Sequence, residues 1–502
     1  MKVYLIGAGP GDPGLLTLKG RDVLGLADVI VYDYLANSSF LGYARPDAEA
    51  IYVGKKGSEH TLPQEEINAL VIEKAREGKI VARLKGGDPY MFGRGGEEAE
   101  ALAAAGLPFE VVPGVTSAIA ATAYAGIPVT HRAYASSVIF ATGHEQPGKL
   151  ASALDWAAMV KSGATLVFFM GMQNLEEICS NLMEAGMSGR MPAALVRHGT
   201  TPHHASLVST LRHLPAEARK AGFAAPALII VGKVVKLHDQ LNWFEKKPLL
   251  GKNIVVTRAR EQASDIAALL TEQGANVIQF PTISIRPVED LSAARKALSC
   301  LGSYSWVAFA SANSVRFFWD QLYALGADSR ALASCKIAAV GPSTAQALKQ
   351  IGLRPDFMPD RYTVESVVQG LLAMGVRDKR ILMPRARLAK DGLADQLRAA
   401  GASVEVLSMY GTVPSDTHRD EVLELLKEGQ INCITFASSS TVDNFMSLVP
   451  GSELKKYPNV RYACIGPITA KTLEKHGIKC DFQPTSYTIP ALVNILVEKL
   501  PF

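Results

Sequence analysis

Residues 3–20, VYLIGAGPGDPGLLTLKG, decide how the N-terminal half is interpreted. The apolar run at residues 3–6 predicts a buried strand, which is followed by a turn and by a helix starting near Leu15. The stretch can bend sharply and let a ligand approach the backbone, because four of its residues lack a Cβ atom: Gly7, Gly9, Gly11 and Gly14.

This loop does not match a dinucleotide-binding fingerprint. The G-x-G-x-x-G motif needs a third glycine at the position of Asp12. Pro10 and Pro13 also remove two backbone N–H donors, which a pyrophosphate would need. The sequence therefore predicts close contact with a small ligand that is not a diphosphate.

The composition is that of an ordinary globular protein. The chain has 502 residues, of which 48% are hydrophobic and 20% are charged, with a formal net charge of +4. This length favours two or more domains, each with its own core. So small a net charge gives no indication of nucleic-acid binding.

The six cysteines show no C-x-x-C pair, which favours a reduced, cytoplasmic protein with free thiols. The N-terminus leads directly into a strand without a leader pattern, and no apolar run is long enough to span a bilayer. His203 and His204 are adjacent and cannot form a ligand pair at helical spacing, so no metal site is expected.

Several polar residues follow predicted strands of the first half. Asp33 follows residues 29–32 and Lys55 follows residues 51–53, at the strand edge where α/β sheets bind ligands. Taken alone, Asp33 is interpreted as a turn cap and Lys55 as a solvated lysine. After the strand at 80–84, Asp88 is expected to accept hydrogen bonds from ligand hydroxyls.

Charged residues surround that last loop. Arg83, Lys85 and Arg94 are expected to supply positive charge to it. Glu97 and Glu98 open the following helix, where stabilisation of the helix N-terminus is the favoured interpretation.

The first half resembles a known family. Residues 3–20, 83–98, 112–118, 126–132 and 226–235 are similar in order and content to the tetrapyrrole (precorrin) methyltransferases, above all uroporphyrinogen-III C-methyltransferase. The resemblance covers about residues 1–245. It implies two α/β lobes with S-adenosylmethionine in the cleft between them, and a homodimer formed through this half.

The resemblance also assigns roles to residues. It implies that Asp33 is the proton acceptor and Lys55 the proton donor. The positions that match cofactor contacts are Pro10, Gly86, Gly87, Asp88, Met91, Thr116, Ser117, Met170, Gly199 and Ala227.

The second half repeats itself. Residues 241–252, LNWFEKKPLLGK, break the preceding pattern and predict a junction, with the linker itself at 246–251. Beyond it, NIVVTRAR, FASANSV and VGPSTAQAL recur as RILMPRAR, FASSSTV and IGPITAKTL at an offset of 125 to 127 residues. This offset is too long for a solenoid and predicts two similar parallel α/β lobes.

Each repeated motif is a strand that leads into a helix. In a parallel sheet these joints share one edge, so the helix N-termini and nearby arginines of two facing lobes would bind a polyanion. Plain helix capping is an equally good interpretation of each hydroxyl taken alone. The candidate substrate-binding residues are Arg258, Arg385, Ser311, Thr344, Ser438 and Thr469.

These motifs, with VLSMYGTV at 406–413, resemble uroporphyrinogen-III synthase. The resemblance implies a domain at 252–502 in which the chain crosses between lobes twice, with lobe one at 252–285 plus 412–502 and lobe two at 286–411. Tyr410 matches a tyrosine implicated in catalysis. The implied reaction closes hydroxymethylbilane into a ring with inversion of its last pyrrole and loss of water.

Taken together, the two resemblances indicate a bifunctional α/β enzyme of tetrapyrrole biosynthesis. Its expected ligands are hydroxymethylbilane, uroporphyrinogen III and S-adenosylmethionine, and its expected methylated product is precorrin-2. Two alternatives remain at this stage. The first half could methylate at a later corrinoid step, or the whole chain could be a tetrapyrrole-binding regulatory protein.

Overall fold

A computed structural model describes residues 1–54, 62–143, 154–257, 260–361, 363–387, 392–414 and 419–500. Lys55 and Arg258, two of the predicted site residues, lie outside these ranges.

The first lobe is a parallel sheet of five strands in the order β3-β2-β4-β1-β5. Its elements are β1 (Lys2–Gly7), α1 (Leu18–Leu24), β2 (Val29–Tyr32), β3 (Glu49–Tyr52), α2 (Gln64–Arg76), β4 (Ile80–Lys85), α3 (Gly95–Ala104), β5 (Phe109–Val112) and α4 (Ser117–Tyr124). Because all five strands are parallel, their carboxyl ends meet at one edge, where the glycine-rich loops lie.

The second lobe is a mixed five-stranded sheet in the order β6-β7-β10-β8-β9, with only β6 and β7 parallel. Its elements are β6 (Val138–Thr142), α5 (Trp156–Lys161), β7 (Thr165–Phe169), α6 (Leu175–Glu184), β8 (Pro192–Arg197), β9 (Ala205–Thr210), α7 (Leu214–Lys220), β10 (Ala227–Val231) and α8 (His238–Leu241).

The second half contains two further sheets. A parallel sheet in the order β12-β11-β18-β19 is built from two separate parts of the chain. The first part contributes β11 (Asn253–Val256), α9 (Arg260–Glu272) and β12 (Asn276–Gln279).

The intervening segment forms the other sheet, in the order β13-β17-β16-β14-β15. Its elements are β13 (Ile283–Pro287), α10 (Ser292–Leu298), β14 (Trp306–Phe309), α11 (Ala312–Ala324), β15 (Lys336–Ala339), α12 (Pro342–Gln350), α13 (Val364–Ala373), β16 (Arg380–Ala386), α14 (Gly392–Ala399) and β17 (Ser403–Pro414). The chain then returns to the first of these two sheets through α15 (Arg419–Lys427), β18 (Cys433–Phe436), α16 (Ser439–Leu448), α17 (Gly451–Leu454), β19 (Arg461–Cys464), α18 (Pro467–Lys475) and α19 (Ile489–Lys499).

The chain thus passes twice between the two sheets of the second half, as the family resemblance implies. On the way out it forms β13, which pairs antiparallel with the returning end of β17. The predicted lobe boundaries at 285/286 and 411/412 lie within this strand pair. The α/β fold class, with two lobes in each half, is confirmed.

All four sheets bury apolar side chains on both faces. In β7, Leu166 and Phe168 pack into one cluster while Val167 and Phe169 pack into another. Successive side chains of a strand point to opposite faces, so a strand that is covered on both sides is apolar throughout.

Local details differ from the sequence-based expectations. The helix expected from Leu15 is instead a short 3-10 turn, Pro13–Leu15, followed by α1 from Leu18. The break occurs because Thr17 accepts a hydrogen bond from Gly20 N at 3.1 Å and so caps a new helix. Within the predicted linker at 246–251, Leu249 is fully buried against the β11 sheet.

Candidate functional site

Three loops of the first lobe meet at the carboxyl edge of its sheet. Gly7 ends β1, Gly87 follows β4 and Gly114 follows β5. A Cβ atom added to Gly114 would overlap Gly87 O and lie 2.6 Å from Gly7 Cα, so only glycine allows this contact. The first two loops also exchange hydrogen bonds between Gly9 and Gly87, with N···O distances of 3.1 and 2.7 Å.

Asp88 holds this arrangement together. Its Oδ1 accepts hydrogen bonds from the backbone N–H groups of Tyr90 and Met91 at 2.8 and 3.1 Å. Its Oδ2 accepts one from Gly114 N at 3.0 Å. Both carboxylate oxygens are therefore engaged by the protein backbone, whereas the sequence led us to expect ligand hydroxyls as partners. Asp88 shapes the site by tying two loops together.

Helix α4 lies between the two lobes and closes one side of the site. Thr116 precedes it without making a side-chain capping hydrogen bond, and Ser117 is its first residue. On its far side, a Cβ atom added to Gly199 would overlap the side chain of Ala121. The loop after β8 therefore packs directly on this helix.

The same β8 loop reaches the loop after β1. A Cβ atom added to Gly11 would lie 2.5 Å from Thr201 Cγ2, and Asp12 N donates a hydrogen bond to Thr200 Oγ1 at 3.0 Å. Tyr124, at the end of α4, donates a hydrogen bond to Asp12 Oδ2 at 2.6 Å. Burial and this carboxylate raise the pKa of Tyr124. These contacts join the two lobes around Pro10.

The remaining predicted cofactor residues border this region. Met170 follows β7 and is 55% exposed with a positive φ of 54°, while Ala227 begins β10 and pairs with Arg197 at the end of β8. Met91 packs against the core between α4 and the second sheet. Phe92 approaches Phe169, with ring centroids 4.7 Å apart.

Backbone strain is concentrated in these loops. Among the described residues other than glycine, five with positive φ follow β4, β7 or β8. Such conformations cost of order 1–3 kcal/mol each and cluster at binding sites. The five residues are Phe92, Arg94, Met170, His198 and Thr200.

The site has room for a ligand beside Gly87. This residue has a φ of +69°, and a Cβ atom placed on it would find its nearest neighbours, Ser117 N and Thr116 Cα, only at 4.0 Å. The open side of the glycine and the uncapped start of α4 thus face the same space. These residues fit a small molecule that lies along the loops.

Asp33 lies at the same edge, after β2, and is 22% exposed. Its Oδ2 accepts a hydrogen bond from Arg83 Nη2 at 3.1 Å, and its Oδ1 accepts one from Leu35 N at 3.1 Å. Arg83 itself is buried. Asp33 is therefore held by two hydrogen bonds and has one face towards solvent.

The group that supports Asp33 is a buried cluster of charges that the sequence does not predict. Arg83 and Lys85 were expected to offer charge to a ligand, but both are buried beside Glu98. Glu98 lies in the first turn of α3, as the sequence predicts, but its buried carboxylate also pairs with both cations. Glu97 is exposed and pairs with Arg94. The sequence does contain one indication of this buried cluster. Arg83 and Lys85 are two positions apart on β4, so both side chains lie on the same face of the strand.

In the second half, two of the four predicted hydroxyl residues are helix caps. Ser311 accepts a hydrogen bond from Ser314 N at 3.1 Å, and Ser438 accepts one from Thr441 N at 3.3 Å. Both helices, α11 and α16, also have the reciprocal bond of a capping box.

The other two residues are placed differently. Thr344 and Thr469 lie in the first turns of α12 and α18, whose N-cap residues, Gly341 and Gly466, provide no side-chain cap. Both threonines are at least nine-tenths buried. Neither hydroxyl has a hydrogen-bond partner in the part of the chain that the structure describes. Their donors and acceptors remain available to a ligand.

Tyr410 is 7% exposed in β17 and stacks on Phe317, with ring centroids 5.0 Å apart. Its hydroxyl lies 2.9 Å from Ser311 Oγ. Arg385 lies on the neighbouring strand β16, in register with Ser408. The structure thus groups Tyr410 with Ser311 in one lobe, while Ser438 and Thr469 belong to the other.

In the described residues, no group of three or more His, Cys, Asp or Glu side chains is arranged to hold a metal ion. Nor is any helix in those ranges both long and apolar enough to cross a membrane.

Comparison with known families separates the chain into the same two halves. Residues 2–215 match the model of the tetrapyrrole (corrin/porphyrin) methylases, and residues 264–494 match that of uroporphyrinogen-III synthase HemD.

Relatives with both halves exist. The chain is 38% identical to the porphyrin biosynthesis protein HemD of Ruminiclostridium josui, over 99% of this chain and 97% of that protein. It is 41% identical to a uroporphyrinogen-III C-methyltransferase of Bacillus subtilis, over 73% of this chain and 77% of that protein. A siroheme synthase of Azotobacter vinelandii is 53% identical, but the match covers only 49% of this chain and 52% of that protein. The chain therefore belongs to the family of tetrapyrrole biosynthesis enzymes in which a tetrapyrrole methylase domain is fused to a uroporphyrinogen-III synthase domain.

Proposed function

We propose that the C-terminal half converts hydroxymethylbilane to uroporphyrinogen III and that the N-terminal half methylates this product twice, giving precorrin-2. The observation that carries the methylation reaction is the convergence of the loops after β1, β4, β5 and β8 at the start of α4. The names of the relatives support the same pair of activities.

S-adenosylmethionine is the proposed methyl donor, and when bound it would supply an electrophilic methyl group. Pro10, Gly86, Gly87 and the uncapped start of α4 would hold it. Alignment of donor and acceptor in such a site can contribute roughly 7–11 kcal/mol to catalysis. We propose that Asp33 accepts the proton that the substrate carbon loses, because Arg83 holds its carboxyl group in place and its side chain is still 22% exposed.

In the synthase half, we propose that Thr344 and Thr469 contact the substrate and that Tyr410 takes part in catalysis. Two helices without side-chain caps, α12 and α18, offer backbone N–H groups that suit the carboxylates of a linear tetrapyrrole. Ser311, Ser438 and Arg385 remain proposed contacts, although the two serine hydroxyls also cap helices.

The test is incubation of the purified chain with hydroxymethylbilane, with and without S-adenosylmethionine. Without S-adenosylmethionine, the expected product is uroporphyrinogen III, in which the last pyrrole is inverted. Hydroxymethylbilane that closes in the absence of protein provides the reference sample for the ring without this inversion. With the donor, the expected product is heavier by two methyl groups, as seen by mass spectrometry.

The alternatives give different outcomes. A methyltransferase of a later corrinoid step would cyclise hydroxymethylbilane but leave uroporphyrinogen III unmethylated. A regulatory binding protein would yield neither product. A homodimer in the cytoplasm is also proposed, and light scattering of the full chain tests its stoichiometry.

A further inference from the structure

Two cations of the first lobe are buried on one face of β4. The side chains of Arg83 and Lys85 are 3% and 6% exposed. They are two positions apart in the strand and therefore point to the same side, where α2 and α3 cover the sheet. Burial lowers the pKa of Lys85. Such charges require a close counter-ion, because desolvation of an unpaired charge is costly.

Glu98 of α3 is that counter-ion. Its Oε1 accepts hydrogen bonds from Lys85 Nζ at 2.8 Å, Arg83 Nε at 3.2 Å and Gln64 Nε2 at 3.1 Å. Its Oε2 is also buried and has no partner among the described residues. Within the described residues, the hydrogen bonds of this carboxylate therefore converge on one oxygen, and that oxygen binds both buried cations.

Arg83 transmits this position to the edge of the sheet. Its guanidinium is a planar fork of donors, so fixing Nε fixes the direction of both Nη atoms. Nη1 donates a hydrogen bond to Leu84 O at 3.0 Å, and Nη2 donates one to Asp33 Oδ2 at 3.1 Å. Of the three residues Glu98, Arg83 and Asp33, Asp33 is the one that is partly exposed, at 22% of its side chain.

We propose that Glu98 is a positioning residue for methyl transfer, which acts through Arg83 to hold the Asp33 carboxylate where it accepts the substrate proton. This inference rests on the proposed function, since it takes Asp33 as the proton acceptor. It adds a residue that contacts neither substrate nor methyl donor. Loss of Glu98 leaves the hydrogen bonds of Arg83 Nη1 to Leu84 O and Val31 O but removes the one that orients Nε, so the Nη2 contact with Asp33 shifts.

The adjacent glutamate provides a matched control. Glu97 is on the same turn of α3, is exposed, and pairs with Arg94 at 2.6 Å on the surface. The variant Glu97→Gln removes the same charge from the same helix without touching Arg83.

The experiment is a double-mutant cycle in the full chain with Glu98→Gln, Asp33→Asn and the double variant. Glu98→Gln is expected to lower kcat for methylation about tenfold while the KM for S-adenosylmethionine changes by less than about twofold. In the Asp33→Asn background it is expected to cause no further loss, because residues that act through one another are not additive. Glu97→Gln is expected to methylate at the unaltered rate.

A readout without turnover accompanies the cycle. In chain labelled with carboxyl-¹³C aspartate, the Asp33 resonance is identified by its absence from Asp33→Asn. It is expected to shift in Glu98→Gln and to stay in place in Glu97→Gln. Calorimetric binding of S-adenosylhomocysteine checks that the methylase half of each variant is folded. If Glu98→Gln does not bind it, the variant Glu98→Asp is used in its place.

An equal loss of kcat in both backgrounds, or an unmoved Asp33 resonance, would overturn the proposal and leave Glu98 a structural residue. Unaltered methylation by Asp33→Asn would show separately that Asp33 is not the proton acceptor, and the inference would fail with it. Precorrin-2 formation by the parent chain is measured separately, so a failure of the proposed function can be distinguished from a failure of the role proposed for Glu98.

Discussion

The hydroxyl oxygens of Tyr410 and Ser311 lie 2.9 Å apart, although the residues are 99 positions apart in the chain. Ser311 is the N-cap of α11, and Tyr410 lies near the end of β17. The tyrosine is thereby tied to a rigid helix terminus, and its ring is held against Phe317. This contact places a buried phenol at the edge of its sheet in a defined orientation.

Replacement Tyr410→Phe is expected to slow cyclisation of hydroxymethylbilane and to leave methylation of supplied uroporphyrinogen III unchanged. Loss of one hydrogen bond corresponds to about 1 kcal/mol, or roughly fivefold in rate. The control is Tyr304→Phe, which removes another buried hydroxyl of this lobe, one that donates to Glu405 Oε2 at 2.6 Å. Equal cyclisation rates in Tyr410→Phe and the parent chain would make Tyr410 structural.

The hydroxyl residues of the other lobe should separate into two classes. Ser438→Ala removes a capping box and is expected to lower the free energy of unfolding by about 1 kcal/mol. Thr469→Val removes a hydroxyl that has no partner among the described residues, so it is expected to spare stability and slow cyclisation. Thermal unfolding and the cyclisation assay measure both variants. A Thr469→Val chain that cyclises normally would argue against a substrate contact.

The close contact of Gly114 with Gly7 and Gly87 predicts that a side chain at position 114 reduces methylation and leaves cyclisation intact. Gly114→Ala forces a Cβ atom into Gly87 O, and overpacking of this kind costs about 1–3 kcal/mol. Cyclisation by the other half is expected to persist and serves as the internal standard. The control is Gly96→Ala in α3, where a Cβ atom meets nothing within 4 Å. It is expected to leave both reactions intact.

Asp88→Ala is expected to weaken binding of S-adenosylhomocysteine, because three backbone N–H groups lose their acceptor and two loops are no longer joined. Leaving buried donors unpaired costs roughly 1–3 kcal/mol each, part of which water recovers at this half-buried site. Isothermal calorimetry measures the affinity. Unchanged affinity would mean that the loop geometry does not depend on this carboxylate.

Glu245 gives a pH-dependent prediction at the junction of the two halves. Burial raises its pKa, but the neighbouring His204, Ser206 and Asn242 side chains outweigh this and hold the pKa at about 2. Asn242 Nδ2 donates a hydrogen bond to Glu245 Oε2 at 2.6 Å, and His204 Nε2 lies 3.3 Å from Oε1. Because the folded pKa is depressed, the stabilisation is complete above pH 4.5 and is lost as the pH falls towards 2.

Glu245→Gln is therefore expected to lower stability at pH 7 by roughly 1–2 kcal/mol after screening by solvent. The difference in unfolding temperature between parent and variant should stay constant from pH 7 to 5 and shrink below pH 4.5. The exposed Glu217→Gln serves as the reference substitution. A difference that stays constant down to the acid limit of folding would contradict the assigned pKa.

Much of the site was predictable because its signals are short-range. The glycines after β1, β4 and β5 follow apolar strands directly, and parallel pairing then brings those strand ends together. The capping role considered for Ser311 and Ser438 depends on a residue three positions away and is readable from local spacing. The internal duplication likewise predicted two lobes with similar joints.

The sequence by itself thus determined the order of elements, the two families and the sheet edges that carry the candidate residues. Only the tertiary structure decided that Asp88 bonds to loop backbone, that Glu98 is buried with Arg83, and that Tyr410 meets Ser311. The physical reason is the separation along the sequence between the residues that interact. Strand periodicity and helix caps are set by neighbours a few residues away, whereas a buried charge or hydroxyl takes its partner from whichever distant strand or helix the packing places beside it.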